Sequence, residues 1–248
     1  MEEETITSPS SFPTRITNVF IAPGELFTEL PKFPVRTTSW VIPLLVSMCL
    51  ALFVTYSLYS NPELRQQIYD IQSEAMKKKV TEGKMSQEQM ERATDQMQSS
   101  GPGMFMLIGG GGAIVSIAIM YFGGVLVLWL ATKFILQFAG GYKKILETFS
   151  LITVVGMFGT LLTVILMYYF NSLHATLGGA LFILDSFDKN NFAHNLIASL
   201  NVFTLWQCGL LGYAFSKLSG KSFGISAGVV YGLWAVWTIV ASLLGWVR

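Results

Sequence analysis

The residues with the greatest capacity for chemistry lie in one polar connection between two long apolar stretches: His174, Asp185, Asp188, Lys189 and His194. Imidazole and carboxylate groups together can bind a divalent metal ion. The spacings match no compact ligand motif, so folding would have to bring the two histidines together. We therefore expect a polar loop at the membrane surface, with no metal and no cofactor, and keep a metal-dependent membrane enzyme as an alternative.

Other catalytic motifs are missing from the sequence. There is no credible Ser-His-Asp or Cys-His arrangement and no His-Glu-x-x-His run. Residues 109–112 are all glycine, but the Lys-Ser/Thr of a phosphate-binding loop does not follow them, so this run indicates close helix packing or local unwinding. Cys49 and Cys208 lie in apolar runs, which is typical of free buried thiols. We expect a protein that is not an enzyme.

The composition is that of a membrane protein. Hydrophobic residues make up 52% of the 248 residues and charged residues only 12%, against about 25% charged in soluble domains. The formal net charge of +1 implies no nucleic-acid partner. Since the chain opens on three glutamates and the first apolar run begins near Trp40, we expect no cleaved signal peptide, with the first span itself directing membrane insertion.

Five apolar stretches are long enough to cross a hydrocarbon core, which needs about 20 helical residues. They cover residues 40–59, 104–132, 149–170, 196–215 and 225–247. Because backbone groups in lipid must be paired internally, the sequence predicts an all-α membrane bundle of five transmembrane helices. The central turns contain no ionisable residue, so an ion or proton pathway is not indicated. Asn171, Asn201, Thr204 and Gln207 are expected to hydrogen-bond between helices.

The distribution of basic residues predicts the orientation. With the N-terminus inside, eight Lys and Arg residues lie near the inner ends of the spans and four near the outer ends. Basic residues favour the cytoplasmic side. We therefore expect a multi-pass protein of the plasma (inner) membrane, with its N-terminus cytoplasmic and its C-terminus outside.

Two polar regions are expected to fold outside the spans. Residues 1–39 form a cytoplasmic arm in which Ile16, Val19, Phe20, Phe27 and Leu30, broken at Pro23-Gly24, predict one or two amphipathic helices on the inner membrane surface. The remaining residues, 40–248, form the membrane domain. Within it, residues 61–103 predict an extracytoplasmic helical hairpin, because Asn61-Pro62 and Ser86 with Gln89 are helix starts. An unstructured arm and an unstructured loop are the alternatives.

Small residues recur every fourth position in the last part of the chain, at Gly220, Gly224, Gly228 and Gly232. Stripes of this kind let helix backbones approach closely. The sequence predicts packing within the bundle, and contact between two copies of the chain relies on the same chemistry. A homo-oligomer therefore stays open.

Several segments resemble the Yip family of five-span membrane proteins, in its bacterial form. The similarity is carried by residues 16–27, by 40–45 (Trp-Val-Ile-Pro-Leu-Leu), by Gly140-Gly141-Tyr142-Lys143-Lys144 with Thr148 and Phe149, and by residues 200–206 followed by Gly212 and Lys221. It extends from about residue 15 to 245. The resemblance implies a five-helix fold with a cytoplasmic N-terminus, and it implies no reaction. Eukaryotic members are adaptors in vesicle traffic, and some bacterial members are accessory subunits of membrane transporters.

Taken together, the sequence favours a non-catalytic adaptor or scaffold, whose partners are the lipid bilayer and another membrane protein. The expected partner-binding residues form two narrow seams of the hairpin, which a partner helix would complete. They are Leu64, Ile68, Ile71, Met90 and Met97. A small channel or a lipid-handling protein is the alternative, and it would need a continuous polar path near Asn201 and Gln207.

Overall fold

Helices dominate the described chain. The computed structural model describes residues 8–99, 101–188 and 191–243, and these contain no β-strand. The α-helices are α1 (Phe12–Ile21), α2 (Pro23–Glu29), α3 (Thr38–Ser60), α4 (Pro62–Thr81), α5 (Gln87–Ser99), α6 (Pro102–Phe105), α7 (Gly111–Phe134), α8 (Tyr142–Phe170), α9 (Phe192–Ser199), α10 (Val202–Ser219) and α11 (Phe223–Leu243). Shorter elements are the 3-10 helices Leu30–Lys32 and Gly179–Ser186 and the π-helical turn Met106–Gly110.

Four helical stretches in the described residues are long and apolar enough to cross a membrane. They are Thr38–Ser60, Gly103–Phe134, Tyr142–Phe170 and Phe223–Leu243. Many of their large apolar side chains, including Phe53, Ile165 and Val236, are exposed rather than packed within the chain. Exposing apolar surface to water costs about 25 cal/mol per Å², whereas lipid tails cover it. The chain is therefore an all-α, multi-pass membrane protein, and residues 244–247 of the predicted last span lie outside the described residues.

The fourth span was predicted as one helix over residues 196–215, and this prediction is wrong. It divides into α9 and α10 at Leu200 and Asn201, because the Asn201 side chain caps α10 by accepting from the backbone N–H groups of Phe203 and Thr204. The backbone at 177–179 pairs with the break: Gly179 N donates to Leu200 O at 3.2 Å, and Val202 N donates to Leu177 O at 3.0 Å. These bonds satisfy the backbone groups that the break leaves open.

The N-terminal arm forms the two short helices that the sequence predicts, and they meet at Ala22 and Pro23. The environment of their apolar face differs from the prediction. Val19, Leu26 and Phe27 are buried in the same core cluster as Ile145 of α8 and Phe215 of α10. The arm therefore packs its apolar side chains against the helix bundle rather than leaving them for a membrane surface.

The first two glycines of the run at 109–112 pack closely against α3, and the run does not interrupt the helix. The backbone widens into a π-helical turn over Met106–Gly110 and continues directly into α7. A Cβ atom at Gly110 would lie 2.8 Å from the Leu52 side chain, which is closer than real Cβ contacts allow. Of the two interpretations of this run, close packing is the one found, and the π turn replaces full unwinding.

The predicted glycine stripe does not pack within the bundle. Gly220 lies beyond the end of α10 in a left-handed turn, with φ of 72°. Gly224, Gly228 and Gly232 lie on an exposed face of α11, where an added Cβ atom would meet nothing within 4 Å. The prediction is wrong because four-residue spacing identifies a face of a helix but not what that face contacts.

Gly212 makes the close approach between α10 and α11 instead. An added Cβ atom at this position would lie 2.6 Å from the Cα atom of Ala227.

Candidate functional site

A buried ionic cluster joins the N-terminal arm to the start of α8. The Arg15 guanidinium is fully buried, and it donates to Glu147 Oε1 at 2.9 Å and to Glu29 Oε1 at 3.0 Å. Lys144 Nζ donates to Glu147 Oε2 at 2.8 Å. Two cations and two carboxylates therefore balance in charge, which is the condition for burying them at all. We call Arg15, Glu29, Lys144 and Glu147 the arm clamp.

Neighbouring groups complete the hydrogen bonding of the arm clamp. Burial raises the pKa of Glu29, but hydrogen bonds from the Ser10 hydroxyl and backbone N–H and from Arg15 outweigh it, so the pKa is lowered from its ordinary value of 4.5. Glu29 is therefore ionised at neutral pH. Lys144 Nζ also donates to the carbonyl oxygens of Leu30 and Phe33, each at 2.9 Å. The chain from the arm into α3 is thus held against α8.

The arm clamp was not predicted from the sequence. The third span was predicted to start at 149, whereas α8 begins at Tyr142, so Glu147 lies inside a helix able to cross the membrane. The central turns of the candidate spans contain no ionisable residue, as predicted, but the first turns of α8 contain Glu147. Two features of the sequence could have indicated the cluster. Glu147 is a lone glutamate beside an apolar run, and the arm, which was interpreted as a surface segment, contains Arg15 and Glu29.

Helices α4 and α5 contact each other and border an apolar cavity. Their predicted caps are confirmed: Asn61 Oδ1 accepts from Glu63 N and Leu64 N, while Ser86 and Gln89 bond reciprocally at 2.9 and 3.1 Å. A cavity of about 450 Å³, which we call the α4–α5 cleft, lies between these helices and the start of the second candidate span. Its apolar lining includes Ala75, Met76, Met97, Met104, Phe105 and Ile108.

The five predicted partner-binding residues have different surroundings. Leu64 is fully buried within the chain and cannot meet a partner in this conformation. Ile68, Ile71, Met90 and Met97 are half-buried. Met97 lines the α4–α5 cleft, while Met90 lines a separate, more polar cavity beside Lys77 and Asp95. The residues that the sequence analysis did not select, Met104, Phe105 and Ile108, come from the adjoining span.

The polar loop brings the two histidines near each other but with an aromatic ring between them. The ring centroid of Phe187 lies 4.3 Å from that of His174 and 6.2 Å from that of His194. His194 Nδ1 accepts from the backbone N–H of Asp188 at 3.0 Å. Within the described ranges, no group of three or more His, Cys, Asp and Glu residues is arranged to hold a metal ion. Lys189 lies outside the described residues.

Comparison with known proteins gives no match to this chain among protein-family models, curated proteins or solved structures.

Proposed function

We propose that the protein is a non-catalytic adaptor of the plasma (inner) membrane that binds another membrane protein through the α4–α5 cleft. A partner of the transporter class, with this chain as accessory subunit, is the form that the family resemblance favours. The observation that carries the proposal is an apolar cleft between the charged helices α4 and α5, bordered by the start of the candidate span Gly103–Phe134.

In this proposal the chain crosses the membrane five times. Helices α9 and α10 act together as a discontinuous fourth span, since their 8 and 18 residues measure about 12 and 27 Å at 1.5 Å per residue. Their combined length exceeds the roughly 30 Å of the hydrocarbon core. The arm and the arm clamp are then cytoplasmic, α4 and α5 form an extracytoplasmic hairpin, and the C-terminus is outside. The excess of basic residues at the arm end supports this orientation.

The lining of the cleft favours an amphipathic helix at the membrane surface as the occupant. Methionine side chains are flexible and polarizable, and they are over-represented on surfaces that accept apolar helices. Since Met104 and Ile108 belong to the start of a span, whatever fills the cleft lies beside the bilayer. Lys79 on the rim forms no salt bridge with a described residue, so it favours an acidic residue on the partner.

Membership of the Yip family is part of the same proposal. The residues that carry the resemblance fall where the chain makes its most specific contacts. Residues 16–27 belong to the two helices of the arm, Lys144 belongs to the arm clamp, and residues 200–206 contain the break between α9 and α10. Gly212 makes the close approach to α11. This coincidence supports the resemblance independently of composition.

Site-specific photocrosslinking in native membranes tests the adaptor proposal. A photoreactive phenylalanine analogue at Met97 is expected to form an adduct with one integral membrane protein, mapped to a helix at the membrane surface. Lys79→Glu should weaken that adduct by about tenfold, because it places like charges together. The matched control is the same analogue at the exposed Glu88 of α5. Equal adducts from both positions, or an adduct insensitive to Lys79→Glu, would contradict the proposal.

A further inference from the structure

A second cavity, of about 560 Å³, lies inside the bundle between α3, α8 and α10. Its polar lining includes Ser47, Thr153, Thr160, Thr163, Thr204 and Gln207. No charged residue contributes to the lining formed by the described residues. We call it the bundle cavity, and it is separate from both the arm clamp and the α4–α5 cleft.

The five-span arrangement proposed above puts the bundle cavity deep within the membrane. An added Cβ atom at Gly159 would lie 2.5 Å from the Phe203 ring, so the start of α10 packs level with Gly159 of α8. Gly159 precedes the end of α8 at Phe170 by eleven residues, or about 16 Å. With Phe170 at the outer edge of the hydrocarbon core, the break between α9 and α10 is near its middle. Irregular backbone at that depth is tolerated where it is buried in protein or lines a cavity.

The bundle cavity offers both acceptors and donors of hydrogen bonds, the donors including the two N–H groups of the Gln207 amide. Ser47, Thr153 and Thr160 each donate their hydroxyl proton to the carbonyl oxygen four residues earlier, at 2.9, 2.9 and 3.0 Å. Their oxygen lone pairs stay available. The Gln207 amide is half-buried and makes no hydrogen bond to the described residues. Gly156 leaves room for this amide, because an added Cβ atom there would overlap Gln207 Nε2.

The bundle cavity is bordered by lipid-facing side chains. Phe158 and Leu161 of α8 are exposed next to Met157 and Thr160, which line the cavity. Phe158 also packs on the Phe203 ring, with centroids 6.1 Å apart. An apolar tail beside the cavity would therefore contact apolar side chains of α8, while an unpaired amide in hydrocarbon costs free energy until a ligand pairs with it.

We infer that the bundle cavity binds an uncharged lipid whose small head carries a hydroxyl group, such as a diacylglycerol or a polyprenol. The hydroxyl of the head donates its one proton to a lining hydroxyl oxygen such as that of Thr160 and accepts from the Gln207 amide, and the tail stays in lipid. A charged head is disfavoured, because the lining has no counter-charge and burying an unpaired charge is costly. A quinone head only accepts hydrogen bonds, so it can pair with the Gln207 N–H groups but leaves the oxygens of Ser47, Thr153 and Thr160 without a donor, and it fits less well. This site does not depend on the adaptor proposal.

Photolabelling of the full chain in phosphatidylcholine nanodiscs tests this site. The probes are a diazirine-bearing diacylglycerol, a phosphatidic acid with the same acyl chains and a diazirine-bearing quinone. Diacylglycerol is expected to label peptides of α8 and α10 that line the cavity, more strongly than either other probe. Gln207→Leu and Thr160→Val should each reduce that labelling about fivefold, since a hydrogen bond contributes about 1 kcal/mol.

Thr55→Val is the matched control, because Thr55 makes the same bond to the carbonyl four residues earlier, at 2.8 Å, and lies outside the cavity. Labelling of Thr55→Val should match the original chain. Equal labelling by diacylglycerol and phosphatidic acid, or labelling unchanged in both cavity variants, would overturn the inference. Size-exclusion profiles and unfolding temperatures of the variants separate loss of the site from loss of the fold.

Discussion

Replacing Glu147 with glutamine is expected to lower the free energy of unfolding by about 3–5 kcal/mol, the range for breaking a buried ion pair from one side. The variant leaves the fully buried Arg15 and the amine of Lys144 without their shared carboxylate. The arm should then detach from α8. Two measurements detect this detachment. One is the thermal unfolding of the purified chain. The other is trypsin cleavage of the peptide bond after Arg15, which is protected while the Arg15 side chain is buried.

Two controls separate the arm clamp from a general effect of lost charge. Glu88→Gln removes a carboxylate from an exposed pair with Arg92 and should leave both measurements unchanged. Combining Arg15→Met with Glu147→Gln should cost less than the two single changes added together, because each single change leaves the buried cluster with one unbalanced charge and the double change restores the balance. Additive costs, or a trypsin pattern unaffected by Glu147→Gln, would show that the arm is held by its apolar side chains.

Replacing Gly212 with valine is expected to destabilise the chain by about 1–3 kcal/mol, the usual cost of overpacking a closely packed interior. The added side chain would press on the backbone of Ala227, so α10 and α11 have to move apart. A falling unfolding temperature in detergent measures this directly. Cysteines placed across the α10–α11 contact should also crosslink more slowly in the variant.

Gly228→Val is the matched control for Gly212→Val. Gly228 lies on the exposed face of α11 with open space around it, and valine has a better helix propensity than glycine. The control should therefore be close to neutral. If Gly228→Val proved the more damaging of the two, the exposed glycine face would have to be a contact surface, and the assignment of Gly212 as the packing glycine would be wrong.

The features predictable from the sequence are those set by local chemistry. Long apolar runs need helices in lipid, and this correctly identified the helices that contain Phe53, Ile165 and Val236. Capping depends on side chains within three residues of a helix start. The Asn61 cap and the Ser86–Gln89 capping box were therefore predicted and are confirmed.

The missed features depend on contacts between residues distant in the chain. Arg15 and Glu147 are 132 positions apart, and no periodicity in either segment points to the other. The break at Leu200 and Asn201 combines the local Asn201 cap with backbone bonds to residues 177–179, and only those distant bonds pair the backbone groups that a break in an apolar run leaves open. The glycine stripe was wrongly expected to pack within the bundle for the same reason, since spacing defines a face of a helix but its neighbours come from the tertiary fold.

Cysteine labelling in sealed membrane vesicles tests the central claim, that α4 and α5 lie across the membrane from the arm. With Cys49 and Cys208 changed to alanine, Thr17→Cys in α1 and Glu91→Cys in α5 provide one exposed thiol each. A membrane-impermeant maleimide should label Glu91→Cys only in right-side-out vesicles and Thr17→Cys only in inside-out vesicles. Labelling of both positions from the same side would contradict the five-span orientation and remove the α4–α5 cleft from the extracytoplasmic surface.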